Sequence, residues 1–406
     1  MKRILYIALS LLACTIFSAC ENDDTDMSEI IEVYQIKPAL IEIDSTALAE
    51  DADVVPTDET DETYGDYVEN TNFDDKVITI TWAGDSATVS GTVNKVSVAT
   101  NGGHVTVTST AKRVQYILQG SSSNGSIKFY SEKKFRITLN GLALTNPTGA
   151  AINNQCSKSF YVVLNAGTHN SLRDGSTYVD IDGEDQKGTL FSEGQILFSG
   201  SGSLNVYATG RAAISTDDYI VVRPGCRIYA NSTAGNGIRG KDGIFINGGV
   251  VNVEVSADGA KGLRSKSLLT IAGGRTTVIA TGNSLITTDE ETLLPDTTAS
   301  AAVKSDSLML VTGGTLNLMA TGDAGKGIRL KQSYIQSGGK VQSVATGTLL
   351  QGKAKGAKID GDFTVTGGYF YSYSSKSRPL DVAGTIAIAT GYTTYTSNRK
   401  VVTIDY

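Results

Sequence analysis

The sequence predicts an all-β protein, a right-handed parallel β-helix with coils of about 25 residues, and three observations predict it. First, glycine pairs return at Gly248-Gly249, Gly273-Gly274, Gly313-Gly314, Gly338-Gly339 and Gly367-Gly368, in steps of 25, 40, 25 and 29 residues. Second, a short strand of period two follows each pair, with Val251, Val253 and Val255 in one repeat and Leu316, Leu318 and Ala320 in another. Third, each repeat then carries a small residue before an aliphatic one (Gly237-Ile238, Gly262-Leu263, Ala302-Val303, Gly327-Ile328) and an apolar triplet such as Ile244-Phe245-Ile246. Three strands per coil, no helical periodicity and only 6 prolines describe a solenoid in which no coil buries its apolar face alone.

The chain begins with Lys2 and Arg3, an apolar run over residues 4–17, and Ser18-Ala19 before Cys20. That pattern predicts a signal peptide over residues 1–19, because the run is shorter than the roughly 20 residues that cross a bilayer. A cysteine directly after small residues resembles the lipobox of bacterial lipoproteins, so Cys20 is the expected acylation site; a plain signal peptide cut nearby is the alternative. The following Glu21-Asn22-Asp23-Asp24 resembles the acidic tag of surface-exported lipoproteins, which implies a surface-exposed lipoprotein of the outer membrane.

Charge divides the remainder. Residues 21–75 hold 19 acids against Lys37 alone, a net of −18, and with Lys2 and Arg3 this leaves +9 of the overall −7 for Lys76 onward. Residues 20–75 are expected to be an acidic, solvated tether. Residues 76–135 lack the 25-residue beat and are expected to form an N-terminal β cap, residues 136–390 the β-helix, and residues 391–406 a C-terminal cap. Cys156 and Cys226 do not make a disulfide framework and are expected to be buried free thiols.

Several strings carry a family resemblance: Ile137-Thr138-Leu139-Asn140-Gly141, Gly167-Thr168-His169-Asn170-Ser171-Leu172-Arg173-Asp174-Gly175, Ala301-Ala302-Val303-Lys304-Ser305-Asp306, and Gly322-Asp323-Ala324-Gly325-Lys326-Gly327-Ile328. Over residues 77–389 the chain resembles the carbohydrate-binding, polysaccharide-lyase-like β-helix family common in bacterial lipoproteins. The resemblance implies bound Ca2+ and affinity for plant-type or acidic polysaccharide. It departs from the pattern where the family often has acidic pairs ahead of the glycine-aliphatic step: this chain has Asn236, Lys261, Lys326 and Lys355 there, which speaks against calcium in those coils.

Superposed coils turn equivalent residues into columns. One is uniformly basic, with Arg239, Arg264, Lys304, Arg329 and Lys358; two residues on stand Lys241, Lys266, Asp306, Lys331 and Asp360. Like charges about 5 Å apart repel by about 0.8 kcal/mol even in water, which a linear polyanion would relieve. Carboxylates of a uronate-containing chain are the expected ligand, with the arginines as two-point clamps; an ordinary solvated face is the alternative. The outward tyrosines Tyr369, Tyr371 and Tyr373, and Tyr207 aligned with Tyr229, are candidates for stacking on sugar rings unless other segments cover them.

The insertion over residues 283–300 contains Asp289, Glu290, Glu291 and Asp296 and leads to Asp306, a set of hard oxygens expected to hold calcium unless the loop is simply acidic. His104 and His169 are the only histidines, too few for a zinc centre. Lys304 beside that loop is the one candidate base for β-elimination of a uronate. Residues 167–175 read as a turn in which Asn170 and Asp174 satisfy local backbone. The expected function is non-catalytic binding of polysaccharide at the cell surface, by a monomer with no nucleic-acid partner. A calcium-dependent polysaccharide lyase and an adhesin or structural surface protein are the alternatives.

Overall fold

Residues 53–288, 295–347, 353–390, 393–397 and 401–405 are described by a computed structural model of the chain. They form a parallel β-solenoid of about 11 turns. A representative coil begins with a main strand (Val250–Val255), turns into a second strand (Lys261–Ser265) and then a third (Leu268–Ile271). Each strand pairs in parallel with its counterparts in the coils before and after, so three flat faces run the length of the molecule.

The glycine pairs stand where the third strand turns into the next main strand. The second glycine of each pair has positive φ, for example 79° at Gly249 and 69° at Gly274, a backbone region that favours glycine. At Gly274 a Cβ would also meet the Gly249 carbonyl oxygen at 2.3 Å. Corners therefore stack backbone on backbone, and each glycine pair marks where one coil sits closely on the last.

Inside, inward-facing residues of the stacked parallel strands meet in one continuous apolar core among the described residues. Phe129 and Phe135, at 4.8 Å, and Phe135 and Phe160, at 5.1 Å, fill the first coils; Tyr334 stacks on Phe363 at 5.1 Å near the other end. The corner between the second and third strands is narrow and polar. Buried hydroxyls tie it, with Ser192 and Thr216 each donating to the Gly194 carbonyl at 2.7 Å. Cys156 and Cys226 are buried free thiols, as expected, and burial pushes Cys226 up to about 12.

Three sequence expectations change. The solenoid starts before residue 136: Val77–Ala83 pairs in parallel with Gln115–Ser122, and Gly103–Ser109 with Gly125–Ser131. Residues 76–135 are its first coils with two antiparallel hairpins added, and the hairpins, with Gly102-Gly103 as the one glycine pair there, hide the beat. Residues 169–174 are likewise a main strand, not a turn. Asn170 lies inside it and bridges coils, accepting from Leu142 N at 2.8 Å and donating to Ser203 O at 3.0 Å, while Asp174 accepts from Thr209 N at 2.6 Å.

The third change concerns the tether. Residues 53–75 lie across the outer side of the third face as a strap. Phe73 (1% exposed) and Val68 pack on Tyr161, Leu197 and Val221, which stack in register. The Tyr161 hydroxyl donates to Gly65 O and the Tyr219 hydroxyl to Asp66, both at 2.6 Å. Arg223, its side chain 5% exposed, pairs at 2.7 Å with both Asp53 and Glu69 and stacks on Tyr67. The acidic composition of the strap is thus used against a basic body, and its apolar residues decide where it lands. At the far end, Val401–Asp405 pairs antiparallel with Phe363–Ser374 and with Thr393–Ser397, continuing the sheet edge.

Removing one partner of a buried charge pair leaves the other uncompensated. Arg223→Met is therefore expected to release the strap, so that limited proteolysis cuts within residues 53–75 while far-UV circular dichroism is unchanged. A strap equally protected in the variant would show that the apolar contacts suffice.

Candidate functional site

The basic column survives in space. Strand pairing sets Arg239 beside Arg264, Arg264 beside Lys304, Lys304 beside Arg329, and Arg329 beside Lys358, all on the second face. Each lies between buried core residues, so the column points outward. Beyond it, at the corner to the third strand, stand Lys241, Lys266, Asp306, Lys331 and Asp360, with Lys241, Lys266 and Lys331 exposed.

The arginines are not open clamps. Arg239 pairs with Asp217 at 3.1 Å, Arg264 with Asp306 at 2.5 Å, and Arg329 with Asp360 at 2.6 Å. Their repulsion is relieved within the chain, by aspartates two residues beyond neighbouring column positions. Asp306 also faces Lys331 at 3.5 Å and Lys304 at 3.9 Å, and Arg264 first among these holds its carboxyl below the usual range against the opposing effect of burial. Eight cations in the two columns still outnumber Asp217, Asp306 and Asp360, and the surplus sits on the exposed lysines.

Behind the column two lysines are buried. Lys261 and Lys326 are each 8% exposed; Lys261 donates to Gly259 O at 2.5 Å, and Lys326 donates to Ala324 O and, at 2.7 Å, to Lys353 O. Burial, and then the neighbouring cations Lys304 and Lys355 respectively, pushes both down to about 8. An ammonium group already fills the carbonyl cradle of these corners, so the residues there do not fit a calcium ion. Lys355 pairs with Asp381.

Of the predicted calcium ligands, Asp306 is committed to the ladder. Asp289, Glu290 and Glu291 lie outside the described residues, and Asp296 stands on Pro295–Thr298, which pairs antiparallel with Leu285–Thr288. A carboxylate group that sequence reasoning missed is Asp185, Glu193 and Asp217, with oxygens within 4.8 Å of one another beside a cavity of about 610 Å3. Lys187 pairs with both Asp185 and Asp217. Burial, then Asp217 and Asp185, raises Glu193. The three come from one corner of two adjacent coils and an intervening loop, so only Glu193 and Asp217 were recoverable from the repeat.

Lys304 is half-buried, and its pKa is lowered by burial first and by Arg264 second. Tyr371 is 1% exposed and does not present a ring to solvent; Tyr369 and Tyr373 are half-buried. Tyr207 does not align with Tyr229: it pairs with Asn231, while Asn205 pairs with Tyr229. The two rings are diagonal neighbours on the outer side of the main face and meet edge-on at 5.7 Å, with Arg173 stacked on Tyr207 at 4.0 Å. The Tyr229 hydroxyl donates to Glu254 at 2.9 Å.

A family described as carbohydrate-binding domain-containing protein matches residues 101–401. A solved structure described as the polysaccharide lyase-like protein from C. thermocellum, gadolinium derivative, is 20% identical, with 77% of this chain and 97% of that one covered and a TM-score of 0.43. No curated protein matches the chain.

The buried lysines carry a charge at a cost that the unfolded chain, with a lysine near 10.5, does not bear. Stability is therefore expected to rise as pH climbs from about 8 toward 10, because the folded state loses these protons first. Denaturant unfolding of the Lys326→Met variant across that range should show a shallower rise than the parent; equal slopes would mean that Lys326 is not held depressed.

Proposed function

Because the chain belongs to the carbohydrate-binding domain-containing family, we propose that it binds acidic, uronate-containing polysaccharide along the lysine edge of its second face, displayed at the cell surface through a lipid on Cys20. The observation that carries this reading is the in-register column with its exposed surplus of positive charge. The arginine-aspartate pairs form a rigid rail, and Lys241, Lys266 and Lys331 reach from it into solvent. Coils stack at about 4.8 Å, so a chain lying along the axis meets a cation every coil or two.

Contacts of this kind are point charges and not two-point clamps, and they favour the sign of the polymer over its stereochemistry. Calcium is no part of the contact. A second reading, β-elimination with Lys304 as base, draws on its lowered pKa. In that step Lys304 would take the proton next to the carboxylate while the bond to the leaving sugar oxygen breaks, giving an unsaturated product that absorbs in the ultraviolet.

Polygalacturonate is expected to bind at low ionic strength and to weaken at least tenfold by about 1 M salt, with neutral galactan much weaker throughout. Lys241→Gln, Lys266→Gln and Lys331→Gln together should remove most of the affinity. Binding that ignores both salt and the triple substitution would overturn the reading, and accumulation of an ultraviolet-absorbing product would favour the lyase.

A further inference from the structure

The edge that carries Lys241, Lys266 and Lys331 begins, several coils earlier, with two other basic corners. Lys112-Arg113 joins Gly103–Ser109 to Gln115–Ser122, and Lys133-Lys134 joins Gly125–Ser131 to Phe135–Asn146; paired strands on both sides make these corners equivalent. Glu193 and Asp217 stand between them and the ladder, so the edge is basic, then acidic, then basic. The strap passes beside the first basic stretch, and Asn70, Thr71 and Asn72 close a notch of about 470 Å3 against the four cations.

Several observations separate this notch from an ordinary solvated turn. Among the described residues, none of the four cations forms an ion pair, although Lys128, Lys187 and Arg136 nearby all do. Of the neighbouring acids of the strap, Asp74 is turned to Arg136 at 2.7 Å, and Asp75 accepts from the side-chain amide of Asn72 on the notch wall at 3.1 Å without pairing with any of the four cations. Lys134 is partly buried with its ammonium 5.8 Å from the Tyr161 ring, and burial lowers its pKa. Arg113 sits at a φ of 61°, a left-handed conformation unusual for a side chain of its size. The wall opposite is firm, because Asn70 donates to Pro56 O and Tyr64 O, both at 3.0 Å.

We propose that this notch binds an oxyanion carried by an acidic sugar, a carboxylate or a sulfate ester, at a site separate from the ladder. Four cations that line one notch without an ion-pair partner among the described residues offer charge-assisted hydrogen bonds, and the guanidinium of Arg113 offers the planar two-point contact that the ladder arginines have spent on aspartates. The volume suits one or two sugar residues, not a long segment of chain. The strap is what makes it a pocket, so the ligand bridges the N-terminal segment and the solenoid. The sugar half of the proposal rests on the carbohydrate-binding reading above; the anion half does not.

The test uses the whole mature chain with Lys241, Lys266 and Lys331 already changed to Gln, which silences the ladder. Calorimetric titration with inorganic sulfate, trigalacturonate and a neutral galactose trimer is expected to show binding of the two anions only. Adding Lys112→Gln and Lys133→Gln, both on surface turns, should weaken each by at least about tenfold, the worth of one charge-assisted contact. Failure of sulfate and trigalacturonate to bind, or binding unmoved by the notch substitutions, would overturn the proposal. Sulfate without trigalacturonate would overturn its sugar half, and equal binding of the neutral trimer its anion half. Failure of the ladder reading has a different signature, with the triple variant and the parent binding long polygalacturonate equally.

Discussion

Everything the surface does depends on one constraint, the in-register stacking of parallel strands from coil to coil. A glycine held at positive φ, with the preceding corner's carbonyl where a Cβ would be, lets successive coils approach this closely. Once that approach is fixed, a side chain at one position of one coil has its counterpart about 4.8 Å away in the next. Sparse charges become a line. The same constraint builds the core, because each ring or aliphatic group must fit against its equivalent in the next coil, as Phe135 does against Phe160.

A line of like charges is not stable by itself, and the chain handles it in two ways. On the second face, aspartates are interleaved two residues beyond the column, so that Arg239, Arg264 and Arg329 are each held by a carboxylate. Behind that face, Lys261 and Lys326 turn into the corner and spend their charge on backbone carbonyls. The first arrangement leaves lysines free to meet a ligand, while the second supplies from within the chain the cation that an oxygen-lined corner attracts. Both keep the face positive without letting the repulsion accumulate.

Much of this could be read in the residues alone. The glycine pairs and the alternation after them located the three faces, and the column of Arg239, Arg264, Lys304, Arg329 and Lys358 followed because a repeat maps sequence distance onto position. Pairing partners were harder. Asp217 reaches Arg239 from the preceding coil, 22 residues away in sequence, and Asp306 is 42 residues from Arg264 because an insertion intervenes. The first coils were hidden because antiparallel hairpins interrupt them and only one glycine pair, Gly102-Gly103, falls within them. The strap escaped because composition reports charge balance, whereas docking was decided by Phe73, Val68 and one buried arginine. Tyr207 and Tyr229 were placed in one column by a two-residue error in register, which moves a side chain to the next position along the same face.

The strap also changes what an acidic N-terminal segment means for a basic body. A solvated polyanion tethered beside a polycationic surface competes with any acidic ligand for that surface, at an effective concentration set by the tether. Here residues 53–75 are instead fastened to the solenoid by Arg136, Tyr219 and Arg223, which hold Asp74, Asp66, Asp53 and Glu69 in place. The four fastened carboxylates are thereby withheld from the lysine edge, where Lys241, Lys266 and Lys331 stand exposed, so the fastening of these acids and the presentation of those cations belong to one electrostatic arrangement.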